Sequence, residues 1–368
     1  MTLSPWRKLA YTAATLVAAF VLLELGALAV EIAPYGVLQQ DGRPRGLYIE
    51  RPNPTHTPNE PPPSSAPSAF VTPSKHDYAD HRIQLQPGAH LRGLLYEIHI
   101  NSHSCRGPEL LTPKPPTGLR VMAVGGSTTF DIYAPDDAST WPAQVAKRLQ
   151  EALPKRTVEL INAGVPGEIM LGNEIDVERL AHLDPDVLLI YQGPNELQRV
   201  TASQGSIGAH HPLTRLALFR AMSRLIEHRL PPPAFPADRT LAQEAMADLQ
   251  SSLESIIELA QRSDIEVVLS THAFQASDPP NPDQLRGLWL TSKLTGLTPH
   301  QVIRALDDYN DMVRRIGREM GLPVSDIRSA VPSDDRYWGD STHFTAPGSA
   351  LAGEAMAKTV LEALEDQP

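Results

Sequence analysis

One cysteine, Cys105, occurs in the 368 residues. That count excludes an internal disulfide framework and a zinc site built on cysteine thiolates. Neither a His-Glu-x-x-His run nor an EF-hand loop is present, and no cofactor is expected. Basic residues are in deficit, 32 Lys and Arg against 43 Asp and Glu, for a formal net charge of −11. Nucleic-acid binding wants a basic face, so no nucleic-acid partner is expected. No Asn-x-Ser/Thr acceptor occurs, so nothing in the composition suggests a secreted eukaryotic protein, and a bacterial cell envelope fits better.

Apolar residues make up 41% of the chain, enough for a sizeable core in one large domain or two modest ones. The first 74 residues read separately. Residues 9–30 (LAYTAATLVAAFVLLELGALAV) form an apolar run whose one charged residue is Glu24, matching the ~20 residues that cross a bilayer. Arg7 and Lys8 precede it, so residues 1–8 are expected in the cytoplasm and everything after Val30 outside. The competing reading is a cleaved signal peptide with Ala27-Leu28-Ala29 as its cleavage site. Either way the remainder is exported. Glu24 is protonated, faces a partner helix, or sits near the outer interface. Eight of the chain's 35 prolines fall in residues 51–74, between Ser, Thr and Asn. Residues 31–74 are therefore expected to be an extended stalk, followed by an extension over 75–117 packed on the main domain.

From residue 118 strand-like and helix-like runs alternate. Strands are predicted at 119–124, 157–161, 186–191, 265–270 and around 322–326, each apolar without alternation, as strands covered on both faces are. Helices are predicted from Trp141 to about Leu153 behind a Ser139 or Thr140 cap, after the capping box Thr240–Gln243, after Thr298 up to Gly321, and from near Pro347. This order means an α/β fold with a parallel sheet and helices on both faces, in which ligands bind beyond the carboxyl ends of the strands.

The strand ends carry chemistry. After the first strand stands Gly125-Gly126-Ser127, followed by Thr128 and Thr129; after the second, Asn162 to Glu168 with Gly164 and Gly167; after the third, Gln192-Gly193-Pro194-Asn195-Glu196. Beyond the fifth come Asp340 and His343, three residues apart. A hydroxyl, a closely approachable glycine N–H, a side-chain amide and an Asp–His pair are the parts of an acyl-transfer site. Taken singly, Ser127 is also an anion-binding turn or helix cap, and Asp340–His343 a surface turn.

These four segments, in this order, resemble the SGNH hydrolases, also called the GDSL esterase/lipase family, over roughly residues 118–368. Residues 97–110, with "NSHSCRGPEL", resemble the lead-in of membrane-anchored bacterial members, and Gly125-Gly126-Ser127-Thr128 resembles the first motif of one branch. The resemblance implies a flavodoxin-like three-layer fold with a five-stranded parallel sheet of order 2-1-3-4-5. It implies Ser127 as nucleophile, His343 as general base and acid, Asp340 as its orienter, and Gly167 and Asn195 as oxyanion donors. The family's usual Gly-Asp-Ser is Gly125-Gly126-Ser127 here, with Thr128 or a looser loop in place of the missing carboxylate, and Glu196 follows Asn195 where the family has Asp. The implied function is a serine esterase, such as a carbohydrate deacetylase, outside the membrane and acting on a small-molecule, lipid or glycan ester. A polysaccharide O-acyltransferase using the same site and a non-catalytic glycan-binding or scaffold domain are the alternatives.

Other residues have plainer readings. His272 is expected as a pocket wall, Glu168 and Glu196 flank the mouth or are solvated, and Cys105 is an inert thiol. The amphipathic run 213–230 packs on its domain, lies on the membrane or covers the pocket. The loops 197–240 and 273–297 read as irregular pocket walls, and Arg106 has no assigned place.

Overall fold

The computed structural model describes Thr15, residues 17–23, Leu25, Tyr78, and residues 82–93, 95–201, 243–288, 291–292 and 295–365. Most of the stretch 9–30 with Glu24 and Ala27–Ala29, the stalk 31–74, the Thr240 capping box and the run 213–230 lie outside them. The chain divides into two compact units. The smaller comprises 1–45, 92–96 and 206–233; its described residues 17–23 are helical and expose Val17, Phe20, Val21, Leu22 and Leu23. Among the described residues no helix is long and apolar enough to cross a membrane.

The larger unit comprises 46–91, 97–205 and 234–368. After the short strands β1 (His90–Arg92) and β2 (Glu97–His99) come β3 (Leu119–Gly125), α1 (Ser127–Phe130), α2 (Trp141–Ala152), β4 (Val158–Gly164), α3 (Met170–Leu180), β5 (Val187–Tyr191) and α4 (Pro194–Thr201). Then follow α5 (Gln243–Arg262), β6 (Glu266–Ser270), α6 (Pro282–Gly287), α7 (Pro299–Met320), β7 (Val324–Ser325), α8 (Ile327–Ala330) and α9 (Ala346–Glu365). Strands β3 to β7 form one parallel sheet in the order β4-β3-β5-β6-β7, the 2-1-3-4-5 arrangement expected.

Alternate strand residues point to opposite faces, and both faces are covered. Met122, Val124, Leu188 and Ile190 pack with Val177 and Leu180 of α3, Leu253 and Ile256 of α5, and Val313 and Ile316 of α7. Val121, Ala123, Leu189 and Tyr191 pack with Trp141 and Leu149 of α2 and Met356 and Val360 of α9. Two apolar faces on each strand are why the sequence shows no alternation. Helix ends follow their signals. Thr140 accepts from the Ala143 N–H to open α2, Thr298 and Gln301 form a capping box at α7, and Gly321 ends α7 with a left-handed φ of 66°.

The segment 273–297 departs from the irregular loop expected. Asn281 accepts from the Asp283 and Gln284 N–H groups in a capping box, and the short α6 follows. Leu288 and Leu297 then bury against Val302 and Leu306 of α7.

Register decides where the chemistry sits. Gly125 of β3 pairs with Gly164 of β4 on one side and with Tyr191 of β5 on the other. Three strands therefore end level, and the residues that leave them enter one neighbourhood.

Candidate active site

Ser127 opens the single-turn helix α1 directly beyond β3, behind Gly126 as its cap. Its Oγ lies 2.7 Å from Nε2 of His343. On the far side of the ring, Nδ1 is 2.8 Å from Asp340 Oδ2. A carboxylate only accepts, so Nδ1 carries the hydrogen and the neutral ring turns its Nε2 lone pair toward the serine hydroxyl. Asp340 also accepts from the backbone N–H groups of Thr342 and His343, both at 2.9 Å, so one carboxylate holds turn and ring together. Burial opposes its charge, but the hydrogen bonds it accepts from the His343 ring and from the Thr342 and His343 N–H groups outweigh burial and lower the carboxyl to about 2.

Asn195, in the first turn of α4, lines the same cavity as Ser127 and His343. One hydrogen of its Nδ2 is donated to the Glu168 carbonyl at 2.9 Å, and Gln192 donates to that oxygen at 2.7 Å. The second Nδ2 hydrogen remains for a ligand. Gly167, one residue before that carbonyl, takes a left-handed φ of 83° and is exposed. It is not among the residues lining the cavity. Ser127, His343, Asp340 and Asn195 are thus brought together, and Gly167 stands at the edge through Glu168.

The missing carboxylate of the first motif has a steric reason. A Cβ on Gly126 would lie 2.5 Å from Asn195 Nδ2, so a side chain there displaces the amide. Thr128 does not anchor the loop through its hydroxyl; its carbonyl accepts from Trp141 Nε1 at 2.9 Å. The neighbouring Thr129 does the anchoring, donating to the Tyr191 carbonyl at 2.9 Å. Asp131, with a left-handed φ of 66°, accepts from Trp141 N–H and Ser349 Oγ and so ties the loop to α2 and α9.

Arg106 belongs to this frame, which the sequence reading missed. Its guanidinium is buried and donates to the carbonyls of Phe130 at 3.0 Å, Asp131 at 2.9 Å and Ala134 at 3.3 Å, and to Asp137 Oδ1 at 2.9 Å. It gathers the chain just behind Ser127. Its own N–H donates to the Asn162 carbonyl of β4, so the lead-in segment is stitched to the sheet.

Three expectations need correction. Glu168 and Glu196 are neither at the mouth nor solvated; both are buried. Glu168 accepts from Tyr78 Oη at 2.5 Å and pairs with Arg82 at 3.3 Å, while Arg82 also reaches Asp176 at 2.6 Å. Glu196 accepts from the Met170 N–H and pairs with Arg199 at 2.8 Å. His272 is no pocket wall: it is fully buried, stacked on Tyr191 with centroids 5.1 Å apart, and burial lowers it to about 3, so it packs as a neutral ring. Cys105 is buried and burial pushes its thiol up to about 12, in keeping with an inert role.

Glu168 carries a pH signature. Burial raises its carboxyl from 4.5 to about 7, against the opposing charge of Arg82. Between those values the folded chain keeps a proton that the unfolded chain has released, so stability falls as pH rises through the window and levels off above it. Asp131, raised by burial to about 6, acts in the same direction. In Glu168→Gln the urea midpoint is expected to fall less between about pH 4.5 and 7 than in the parent. Equal slopes would exclude Glu168 as the source.

The arrangement can be set beside known proteins. Residues 123–351 match the model of the GDSL-like lipase/acylhydrolase family. Among solved structures, the chain is similar to an acetylxylan esterase from Geobacillus stearothermophilus at 14% identity, covering 67% of this chain and 96% of that one with a TM-score of 0.42. It is also similar to a GDSL-like lipase from Bacteroides thetaiotaomicron at 14% identity, covering 69% and 92% with a TM-score of 0.39. No curated protein matches. Because the family match runs through β3, β4, β5 and on to α9, over more than half of the sequence, the chain belongs to the GDSL-like lipase/acylhydrolase family and is an ester hydrolase.

Proposed function

We propose that this ester hydrolase works through a Ser127–His343–Asp340 triad and an acyl-enzyme. His343 Nε2 takes the Ser127 proton as Oγ attacks the ester carbonyl. The oxyanion so formed is met by the Ser127 and Gly167 N–H groups and by the second Nδ2 hydrogen of Asn195. The imidazolium, held by Asp340, returns its proton to the leaving alcohol, and the carbonyl re-forms as the acyl-enzyme. Water, deprotonated by the same ring, then attacks the acyl-enzyme and releases the acid, restoring Ser127. The observation that carries the proposal is the line of hydrogen bonds from Ser127 Oγ to His343 at 2.7 Å and on to Asp340 at 2.8 Å.

The cavity beside Ser127 supports a short acyl group. Its volume is about 100 Å³, and Thr128, Gln192, Gln198 and Thr295 give it polar walls. An acetyl group fits that space, and among the described residues the lining offers a longer acyl chain no aliphatic side chain beyond Pro194 to pack against. The full chain, assayed on p-nitrophenyl esters, is expected to turn over acetate well and octanoate poorly; the reverse order would reject the short-acyl reading. In the same assay Asn195→Ala is expected to lower kcat by about 10²- to 10³-fold, the usual cost of losing one oxyanion donor.

We further propose that residues 9–30 anchor the chain in the cytoplasmic membrane and that the hydrolase lies outside, as in membrane-anchored bacterial members of the family. Arg7 and Lys8 before the run, and the exposed apolar helix over 17–23, support this. The expressed protein should stay with membranes through a high-pH carbonate wash. Release into the supernatant would refute an intact anchor.

A further inference from the structure

Apart from the cavity at Ser127, β1 and β2 bring two imidazoles and a carboxylate to one point. Glu97 and His99 are two residues apart on β2 and so share a face. His90 of β1 meets them there, its Nε2 2.9 Å from Glu97 Oε1. Nε2 of His99 lies 3.9 Å from the same oxygen, and one ligand atom from each of the three side chains falls within 4.8 Å of the others. The two rings are stacked, with centroids 4.0 Å apart and planes at 21°.

An exposed His–Glu pair alone would be an ordinary surface contact worth little. A fourth group makes this one different. Asp137 Oδ2 lies 2.8 Å from His99 Nδ1 and also accepts the His99 backbone N–H at 3.0 Å. The acceptor fixes the hydrogen on Nδ1 and leaves the lone pair on Nε2, which lies 3.9 Å from Glu97 Oε1. A carboxylate behind a histidine in this way is how metal-bound imidazoles are oriented and made more basic. Asp137 is itself held by Arg106 through its other oxygen at 2.9 Å, so it orients His99 from a fixed position. A cleft of about 720 Å³, lined in part by His90, His99, Asn101 and Glu109, adjoins the cluster and leaves room for a water ligand.

We propose that His90, Glu97 and His99 bind one divalent transition-metal ion, with Zn²⁺ the best match, and that Asp137 positions His99 for it. Two imidazoles and one carboxylate suit zinc, which takes such ligands at about 2.0–2.2 Å and accepts water as a fourth. Mg²⁺ and Ca²⁺ favour oxygen donors throughout and fit the set poorly. The ion would fasten the ribbon to Asp137 and, through Arg106, to the chain behind Ser127, so binding should also raise the unfolding temperature.

The test is equilibrium dialysis of the full chain, stripped with chelator, against ZnCl2, CoCl2 and MgCl2 separately. The parent is expected to bind one more Zn²⁺ per chain than H90A/H99A, to show the intense visible bands of four-coordinate Co²⁺, and to ignore Mg²⁺. Glu97→Gln provides a second, milder variant and should weaken Zn²⁺ binding without altering the circular dichroism spectrum. Asp137→Asn should weaken it by about 10- to 100-fold at unchanged stoichiometry, as expected of a group that only orients a ligand. Equal Zn²⁺ stoichiometry and affinity in the parent and H90A/H99A would overturn the site, and Mg²⁺ binding as tight as Zn²⁺ would overturn the choice of metal.

Discussion

Ser127→Ala is expected to lower kcat on p-nitrophenyl acetate by at least about 10⁴-fold while leaving thermal unfolding nearly unchanged. The size follows from the loss of the acyl-enzyme route altogether, since what survives in triad enzymes without their serine is only the oxyanion pocket and substrate binding. Stability should hold because the Oγ makes its hydrogen bond to His343 at the edge of a cavity, and that ring keeps its bonds to Asp340. His343→Ala should cost about as much as Ser127→Ala, and the double variant no more than either, because the two groups act as one unit. Steady-state kinetics on all three variants checks this. Losses that multiplied in the double variant would mean the residues contribute independently.

Arg106→Met is expected to have the largest effect on stability, about 3–5 kcal/mol in urea unfolding, the order expected when several buried polar groups lose one donor, and it takes from the half-buried Asp137 its ion-pair partner. It also strands the carbonyls of Phe130, Asp131 and Ala134, which the guanidinium now satisfies. For comparison, removing the N-cap hydroxyl of α2 with Thr140→Ala should cost only about 1 kcal/mol. Because the three carbonyls follow Ser127 within seven residues of chain, kcat of any folded Arg106→Met should fall as well. Arg106→Lys tests the geometry, since an ammonium cannot make the forked set of bonds. A loss under about 1 kcal/mol in Arg106→Met would show that the loop is held chiefly by Thr129 and Asp131.

The architecture was legible because each strand of a covered parallel sheet is an apolar run and because α2 and α7 announce their starts with Thr140 and Thr298 and α7 its end with Gly321; α3 and α8 open without a side-chain cap and gave no such signal. Ser127, Asn195, Asp340 and His343 were legible for a related reason: the ends of parallel strands converge, so residues that follow them can be read as neighbours. Strand β4 runs to Gly164, three residues past the expected end, because Asn162, Ala163 and Gly164 still pair with Ala123, Val124 and Gly125. Nothing in the residue types announces that continuation. The buried charges were illegible for a different reason. Arg82 and Asp176 are 94 positions apart, and a glutamate after a glycine, as at Glu168, looks like any solvated loop residue until its partners arrive from elsewhere. Arg106 was visible as a residue but not as a contact, since its carbonyl partners belong to a loop 24 to 28 positions away.

The most direct test of the account is where an electrophile lands. A fluorophosphonate applied to the full chain should attach once, and peptide mass spectrometry should place it on Ser127, with the adduct nearly lost in His343→Ala. An unlabelled parent, an adduct on another residue, or labelling undiminished without the imidazole would contradict it.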